Sequence, residues 1–220
     1  MTTASSIGSN IPPQVPVPVI NTNPNLSESL PKDPVMLINY GTQLLNAGNL
    51  AGALDLYTRA LKVNPEDEEV HFNLGYVYTR LGRTNDAIKH YEDALKIFPD
   101  YTEAYNNLGN IYLSQKNYEQ ALESFSAALK ISPESSSALN NVGRCLAEQG
   151  KTREAIQYFG DAVRLNPNYM EAHFNLANAY MTERRYVEAL AEFNEVLRIQ
   201  PNFPPAQRGL ERARANIGNN

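Results

Sequence analysis

The sequence predicts an all-α chain, a solenoid of five short helix pairs followed by a C-terminal capping helix. Three observations predict it. Proline returns every 34 residues at Pro65, Pro99, Pro133, Pro167 and Pro201; alanine keeps the same period at Ala53, Ala87, Ala121, Ala155 and Ala189; and the apolar residues between them fall at helical spacing, as in Leu74, Tyr78 and Leu81. Given the first proline, four more at set positions arise by chance with a probability on the order of 10⁻⁵. No insertion or deletion interrupts the period.

In chain order, residues 1–33 stand apart: they hold Pro12, Pro13, Pro16, Pro18, Pro24 and Pro31, much Ser, Thr and Asn, and no charged side chain before Glu28. Such a segment cannot bury a core, and Pro alternating with Val over residues 16–19 favours polyproline II, so a disordered or extended arm is expected. The repeats then occupy about 34–67, 68–101, 102–135, 136–169 and 170–203, with the matching positions running from 34 to 201. Each unit reads as two antiparallel helices. Gly48, Gly82 and Gly150 sit where the tight turn between them is needed, and each recurring proline stops the second helix. Glu66, Asp67, Glu68 and Glu69 open the next first helix, where they complement its dipole.

Small residues set the packing. Gly41, Gly75, Gly109 and Gly143 on first helices, with the alanines on second helices, permit close approach, while Tyr57, Tyr91, Phe125, Phe159 and Phe193 are expected to fill the space between units. One pair alone cannot bury its apolar face, whereas a stack can. Residues 204–220 read as a capping helix and tail whose Arg208, Glu211, Arg212 and Arg214 supply a polar outer face.

Composition narrows the function. With 220 residues, 42% of them hydrophobic, the chain can bury a sizeable core. Nineteen Lys and Arg against 24 Asp and Glu leave a net charge of −5, which lacks the basic excess of a nucleic-acid binder, so neither DNA nor RNA is an expected partner. The single Cys145 forms no disulfide within the chain, reads as buried packing and fits a reducing compartment. No basic run leads into an apolar stretch at the N-terminus, and no window approaches the roughly 18 apolar residues of a membrane span; a cytoplasmic protein without direct membrane insertion is expected.

The chemistry-bearing residues are sparse. His71 and His173 occupy one slot three repeats apart and are expected to replace aromatics in the packed layer, while His90 on a second helix is expected to face solvent. No nucleophile elbow, phosphate loop or metal motif occurs, so no catalytic residue, cofactor or metal is predicted and the chain reads as no enzyme.

The aromatic-Leu-Gly-Tyr, Ala, Phe/Tyr, Ala and Pro positions, fullest in Tyr105, Leu108, Gly109, Tyr112, Ala121, Phe125, Ala128 and Pro133, give the chain its resemblance to tetratricopeptide repeat proteins. The resemblance implies a right-handed superhelix that holds other polypeptides. Repeat one departs from the pattern at Leu37 and Tyr40, and repeat five at Ala177 and Val196. Chaperone-binding members clamp a terminal carboxylate with Lys and Asn, but Ile38, Thr42 and Glu103 stand at those positions here, which argues against that ligand.

The sixth residue of every repeat is asparagine: Asn39, Asn73, Asn107, Asn141 and Asn175. Asparagine is a poor helix former, so the ladder needs a reason. One is structural, the bridging of neighbouring helices. The other is recognition, because a carboxamide pairs with the backbone of an extended peptide whatever its sequence. The resemblance favours recognition, since a similar ladder lines the concave face of the superhelical repeat domain of O-linked N-acetylglucosamine transferase. Phe72, Tyr76, Arg80, Asn106, Asn110, Asn140, Arg144, Phe174 and Asn178 are predicted on the same face, with Phe72 and Phe174 equally readable as packing residues. Its charges are mixed: Glu69, Glu103, Glu148 and Glu171 oppose Arg80, Arg144, Arg208 and Arg212.

The expected function is therefore a non-catalytic scaffold that binds a protein or peptide segment in its groove. The alternative is a structural subunit that self-assembles through repeat edges or the convex face. The chain's own N-terminal arm, around residues 11–20, is a candidate occupant in cis or in trans, and homo-oligomers are admitted.

Overall fold

The computed structural model describes residues 33–218, so the Pro-rich arm lies outside the described residues. Among the described residues eleven helices follow one another: α1 Pro34–Asn46, α2 Leu50–Val63, α3 Glu68–Arg80, α4 Thr84–Ile97, α5 Thr102–Ser114, α6 Tyr118–Ile131, α7 Ser136–Glu148, α8 Thr152–Leu165, α9 Met170–Thr182, α10 Tyr186–Ile199 and α11 Pro204–Ile217. Helices of 13 or 14 residues are marginal alone, so their order comes from packing. Each helix packs on its successor, and first helices also touch across repeats, α1 on α3, α5 on α7, α7 on α9 and α9 on α11. This is an all-α solenoid, with the odd-numbered helices forming a continuous inner row.

The core is a file of rings against glycines. Tyr57, Tyr91, Phe125, Phe159 and Phe193 are all at most 2% exposed, and burial of each such ring stabilises the fold by about 1.5–3 kcal/mol. A Cβ on Gly41, Gly75, Gly109 or Gly143 would lie 2.7, 2.7, 2.5 or 2.6 Å from the ring of Tyr57, Tyr91, Phe125 or Phe159. The rings therefore press on the glycine of their own pair, so filling the space between units is only half of their role. Repeat five has Ala177 in the glycine slot, and there the close approach moves to the cap, where a Cβ on Gly209 of α11 would lie 2.4 Å from Phe193.

The turn inside each pair is one repeated device. Gly48 donates to the Leu45 carbonyl and Asn49 to that of Leu44, and the same two bonds recur around Gly82, Lys116, Gly150 and Arg184. The central residue is left-handed throughout, with φ of 77°, 71° and 78° at the three glycines and 60° and 58° at Lys116 and Arg184. The last two carry a Cβ in a region that costs L-residues about 1–2 kcal/mol.

The first helices begin in two ways. Asp33, Asp67 and Ser135 cap α1, α3 and α7 through side-chain oxygens that accept from Val35, Val70 and Ala138 N–H. Tyr101, Tyr169 and Phe203 occupy the same slot before α5, α9 and α11 and make no side-chain cap.

Candidate functional site

The inner row encloses an open groove of about 1060 Å³, and every residue lining it comes from α1, α3, α5, α7 or α9 or from Tyr169 and Phe203. Helical geometry explains the alignment: a 34-residue period returns each side chain to the same angular position on successive parallel helices, so one slot becomes one stripe.

Twelve of the fourteen sequence-predicted residues line this groove: Asn73, Asn107, Asn141, Asn175, Phe72, Tyr76, Arg80, Asn106, Asn110, Asn140, Arg144 and Phe174. Asn39 is exposed on α1 and is not among them. Asn178 lines a smaller adjoining groove of about 590 Å³, which shares Arg144 and Asn175 with the larger one.

The ladder is not uniform. Asn141 is 7% exposed, and its Oδ1 accepts from the Arg144 guanidinium at 3.1 Å, which also donates to Asn110 Oδ1 across the repeat boundary at 3.2 Å. Asn175 Nδ2 donates to Asn140 Oδ1 at 2.9 Å, and Asn140, 3% exposed, donates to the Tyr169 hydroxyl at 3.4 Å. Burial pushes the Tyr91 phenol up to about 12, against the opposing influence of Thr79 and Asn107 beside it. The structural reason for the asparagines thus holds for two rungs, Asn141 and Asn175. Each of these carboxamides keeps unused capacity, because it offers two donors and an acceptor with two lone pairs.

The uncapped aromatics explain the groove floor. In three repeats the residue before the ladder asparagine meets the cap slot of the following repeat: Phe72 stacks on Tyr101 with centroids 4.7 Å apart, Asn140 bonds Tyr169, and Phe174 meets Phe203 edge-on at 5.4 Å. Burial, helped by Glu103, Glu69 and Glu68, holds the Tyr101 phenol at about 12. In the fourth such position Asn106 has the Ser135 slot ahead of it, but that hydroxyl is engaged with the Ala138 N–H and with Ser137. Asn106 Oδ1 is consequently buried without a hydrogen-bond partner, alone in this among the described residues. Sequence reasoning missed Tyr169 and Phe203, and the available signal was the recurrence of an aromatic where Asp67 and Ser135 cap their helices.

Charge in the groove is mixed, as expected, with Arg80 and Arg144 facing Glu103 and Glu171. Arg80 also donates to the half-exposed Tyr76 hydroxyl at 3.3 Å. Glu148 lines the smaller groove, whereas Glu69, Arg208 and Arg212 line neither.

The histidines correct the sequence reading. His71 and His173 are buried at 9% and 7% exposure, as packed-layer residues should be. His90 does not face solvent: it is half-buried, stacked on Tyr78 at 5.3 Å, with its Nδ1 3.0 Å from His71 Nδ1. Burial and then the neighbouring His71 hold its pKa down at about 4. His173 moves the other way, raised by its 2.6 Å bond to Glu192. Cys145 is buried, its Sγ 3.5 Å from the Tyr118 carbonyl, and burial raises its pKa, so it is no activated thiol. No helix among the described residues is long and apolar enough to cross a membrane.

Known proteins place this architecture. Family models described as tetratricopeptide repeat match residues 100–168 and 146–214, and a model described as TPR repeat matches 41–82 and 75–116. No curated protein matches the chain. Among solved structures, PilF of Pseudomonas aeruginosa superposes with a TM-score of 0.74 at 24% identity over 84% of this chain and 87% of that one. A thermophilic TPR protein of Thermus thermophilus, TTC0263, gives 0.67 at 26% over 82% and 98%. YrrB, described as a TPR protein with an unusual peptide-binding site, gives 0.64 at 23% over 82% and 93%.

Proposed function

Because the chain belongs to the tetratricopeptide repeat family, whose fold supports protein–protein interaction scaffolds, we propose that it holds an extended peptide segment of a partner in the groove of its inner row. The observation that carries this reading is the open groove of about 1060 Å³, whose lining brings the ladder residues Asn73, Asn107, Asn141 and Asn175 to one face. Tetratricopeptide repeat proteins are generally non-catalytic scaffolds, and the peptide site named for YrrB agrees with such a use of the fold.

The residues divide the work. Asn73 and Asn107 offer carboxamides to the peptide main chain, and Asn175 and Asn141 add whatever capacity their internal bonds leave. At about 0.5–1.5 kcal/mol net per hydrogen bond the ladder alone binds weakly. Selection therefore falls to Phe72, Tyr76 and Phe174, which offer aromatic surface, and to the opposed Arg80, Arg144, Glu103 and Glu171, which disfavour a ligand of one dominant charge.

The test is selection of binders from an unbiased displayed peptide library on the full chain, followed by Asn73→Ala with Asn107→Ala. The pair should lower affinity for the selected peptides by at least about tenfold while helicity and melting stay close to the parent's. Peptides that bind the double variant as tightly as the parent would refute the groove reading.

A second reading, self-assembly through a repeat edge, is favoured by Val35 and Met36, which α1 leaves 62% and 49% exposed at the start of the stack. Concentration-dependent mass that Val35→Lys abolishes, with peptide binding unaffected, would support it.

A further inference from the structure

We propose that His71, His90 and Asp93 form a binding site for a divalent transition-metal ion of the zinc class, clipping α3 to α4 outside the groove. One donor atom from each lies within 4.8 Å of the others, and none of the three residues lines the groove.

The donors are oriented for this. His71 Nε2 lies 3.1 Å from the Pro65 carbonyl, and only an N–H can bond a carbonyl oxygen, so the neutral ring turns a bare Nδ1 toward His90. His90 Nδ1 faces it at 3.0 Å. Two nitrogens bonded to one zinc ion at about 2.0–2.1 Å in tetrahedral geometry stand roughly 3.3 Å apart, so a few tenths of an ångström of opening exchanges the shared proton for a metal ion. Asp93 follows His90 by three residues on α4, which sets both on one helix face and supplies an oxygen donor. The backbone carbonyl behind His71 is the outer partner that fixes the tautomer and raises the basicity of a metal-bound imidazole.

The competitors for these groups are weak. Asp93 is held by Lys96 at 2.7 Å, a pair whose lysine is 72% exposed, and pairs of this kind contribute little. Arg83 lies over Tyr78, which stacks on His90, but its charge is already met by Asp86 at 2.8 Å.

Repeat five supplies an internal contrast. His173 has the same backbone anchor, with Nε2 3.1 Å from the Pro167 carbonyl, yet Glu192 stands where repeat two has His90 and bonds Nδ1 at 2.6 Å. Glu195, in the Asp93 slot, pairs with Arg198 at 2.7 Å much as Asp93 pairs with Lys96, so the difference between the two repeats lies at Glu192. One imidazole and a carboxylate complete a hydrogen-bonded pair, whereas two imidazoles and a carboxylate make the nitrogen and oxygen set that suits zinc, copper or nickel over magnesium or calcium. Three protein ligands leave a fourth position for water or a donor from another molecule.

Zinc salt alone is titrated into the full chain while imidazole ¹⁵N resonances are followed. One equivalent should shift the Nδ1 signals of His71 and His90 and leave those of His173 in place. His90→Gln should weaken zinc binding at least about 100-fold, and Asp93→Asn about tenfold, with helicity retained. His71 and His90 signals that stay fixed under excess zinc would overturn the site, and so would undiminished affinity in His90→Gln. The resonance test on the parent chain needs no variant to fold.

Discussion

Repeats two and five place different chemistry on the same slots. The pair α3–α4 has Gly75, Gly82 and His90 where α9–α10 has Ala177, Arg184 and Glu192, while both keep the buried histidine and its bond to a proline carbonyl. Two of these replacements are answered nearby. Ala177 is matched by Gly209 under Phe193, and Glu192 by its 2.6 Å bond to His173, which raises the pKa of that imidazole. Arg184 has no such answer, since its backbone keeps the left-handed conformation that Gly82 adopts freely. The repeat is thus a set of coupled positions, not a list of preferred residues, and a slot tolerates change where its contact can be moved.

The largest expected effect tests that coupling at the glycine slot. Gly75→Ala puts a Cβ 2.7 Å from a Tyr91 ring that is 1% exposed, and should destabilise the chain by about 2 kcal/mol in urea unfolding despite alanine's better helix propensity. Gly209→Ala should cost at least as much, the approach there being 2.4 Å. Ala177→Gly should cost about 1.5–2 kcal/mol by another route, the propensity difference plus a buried methyl, with no ring contact involved. Equal, small effects at Gly75 and Gly209 would break the claim that ring contact decides these positions.

How much of this was legible follows from what a period can carry. The 34-residue spacing placed the helices and the turn glycines and marked the small residues and the rings as packing positions, because these recur in register; that each ring presses on the glycine of its own pair came only from the structure. It also brought twelve of fourteen candidate residues to one groove, since first helices that lie side by side repeat their inner face. What escaped were contacts made across slots. Nothing in the period says that Asn140 spans Tyr169 and Asn175, or that Ser135, busy as a cap, leaves Asn106 Oδ1 unpaired. The His71–His90 pair joins positions 19 residues apart on two helices, and only the pairing of α3 with α4 brings them together.

The turn slot gives an effect of intermediate size and opposite sign. Arg184→Gly and Lys116→Gly relieve left-handed backbone at φ 58° and 60° and should each stabilise the chain by about 1 kcal/mol, while Gly82→Ala should destabilise it by a similar amount. Thermal unfolding of the three variants, and of the Arg184→Gly and Lys116→Gly double variant for additivity, checks this. A loss of stability in Arg184→Gly would mean that contacts of its side chain, not the backbone angle, govern the site.

The smallest effect separates the two histidine slots by pH. Glu192 raises the His173 pKa, so the folded chain holds a proton that the unfolded chain releases near the ordinary imidazole value of 6.5. The stabilisation is therefore complete below that value and fades as pH rises through the higher folded-state pKa. Glu192→Gln should cost at most about 1 kcal/mol near pH 6, because Glu192 is 21% exposed and partly screened, and close to nothing well above the folded pKa. Unfolding of the variant and its parent across that window measures the difference directly. A cost that grows with rising pH would mean that the carboxylate acts through packing or another donor, and the contrast between an ion-paired and an imidazole-paired histidine would lose its electrostatic basis.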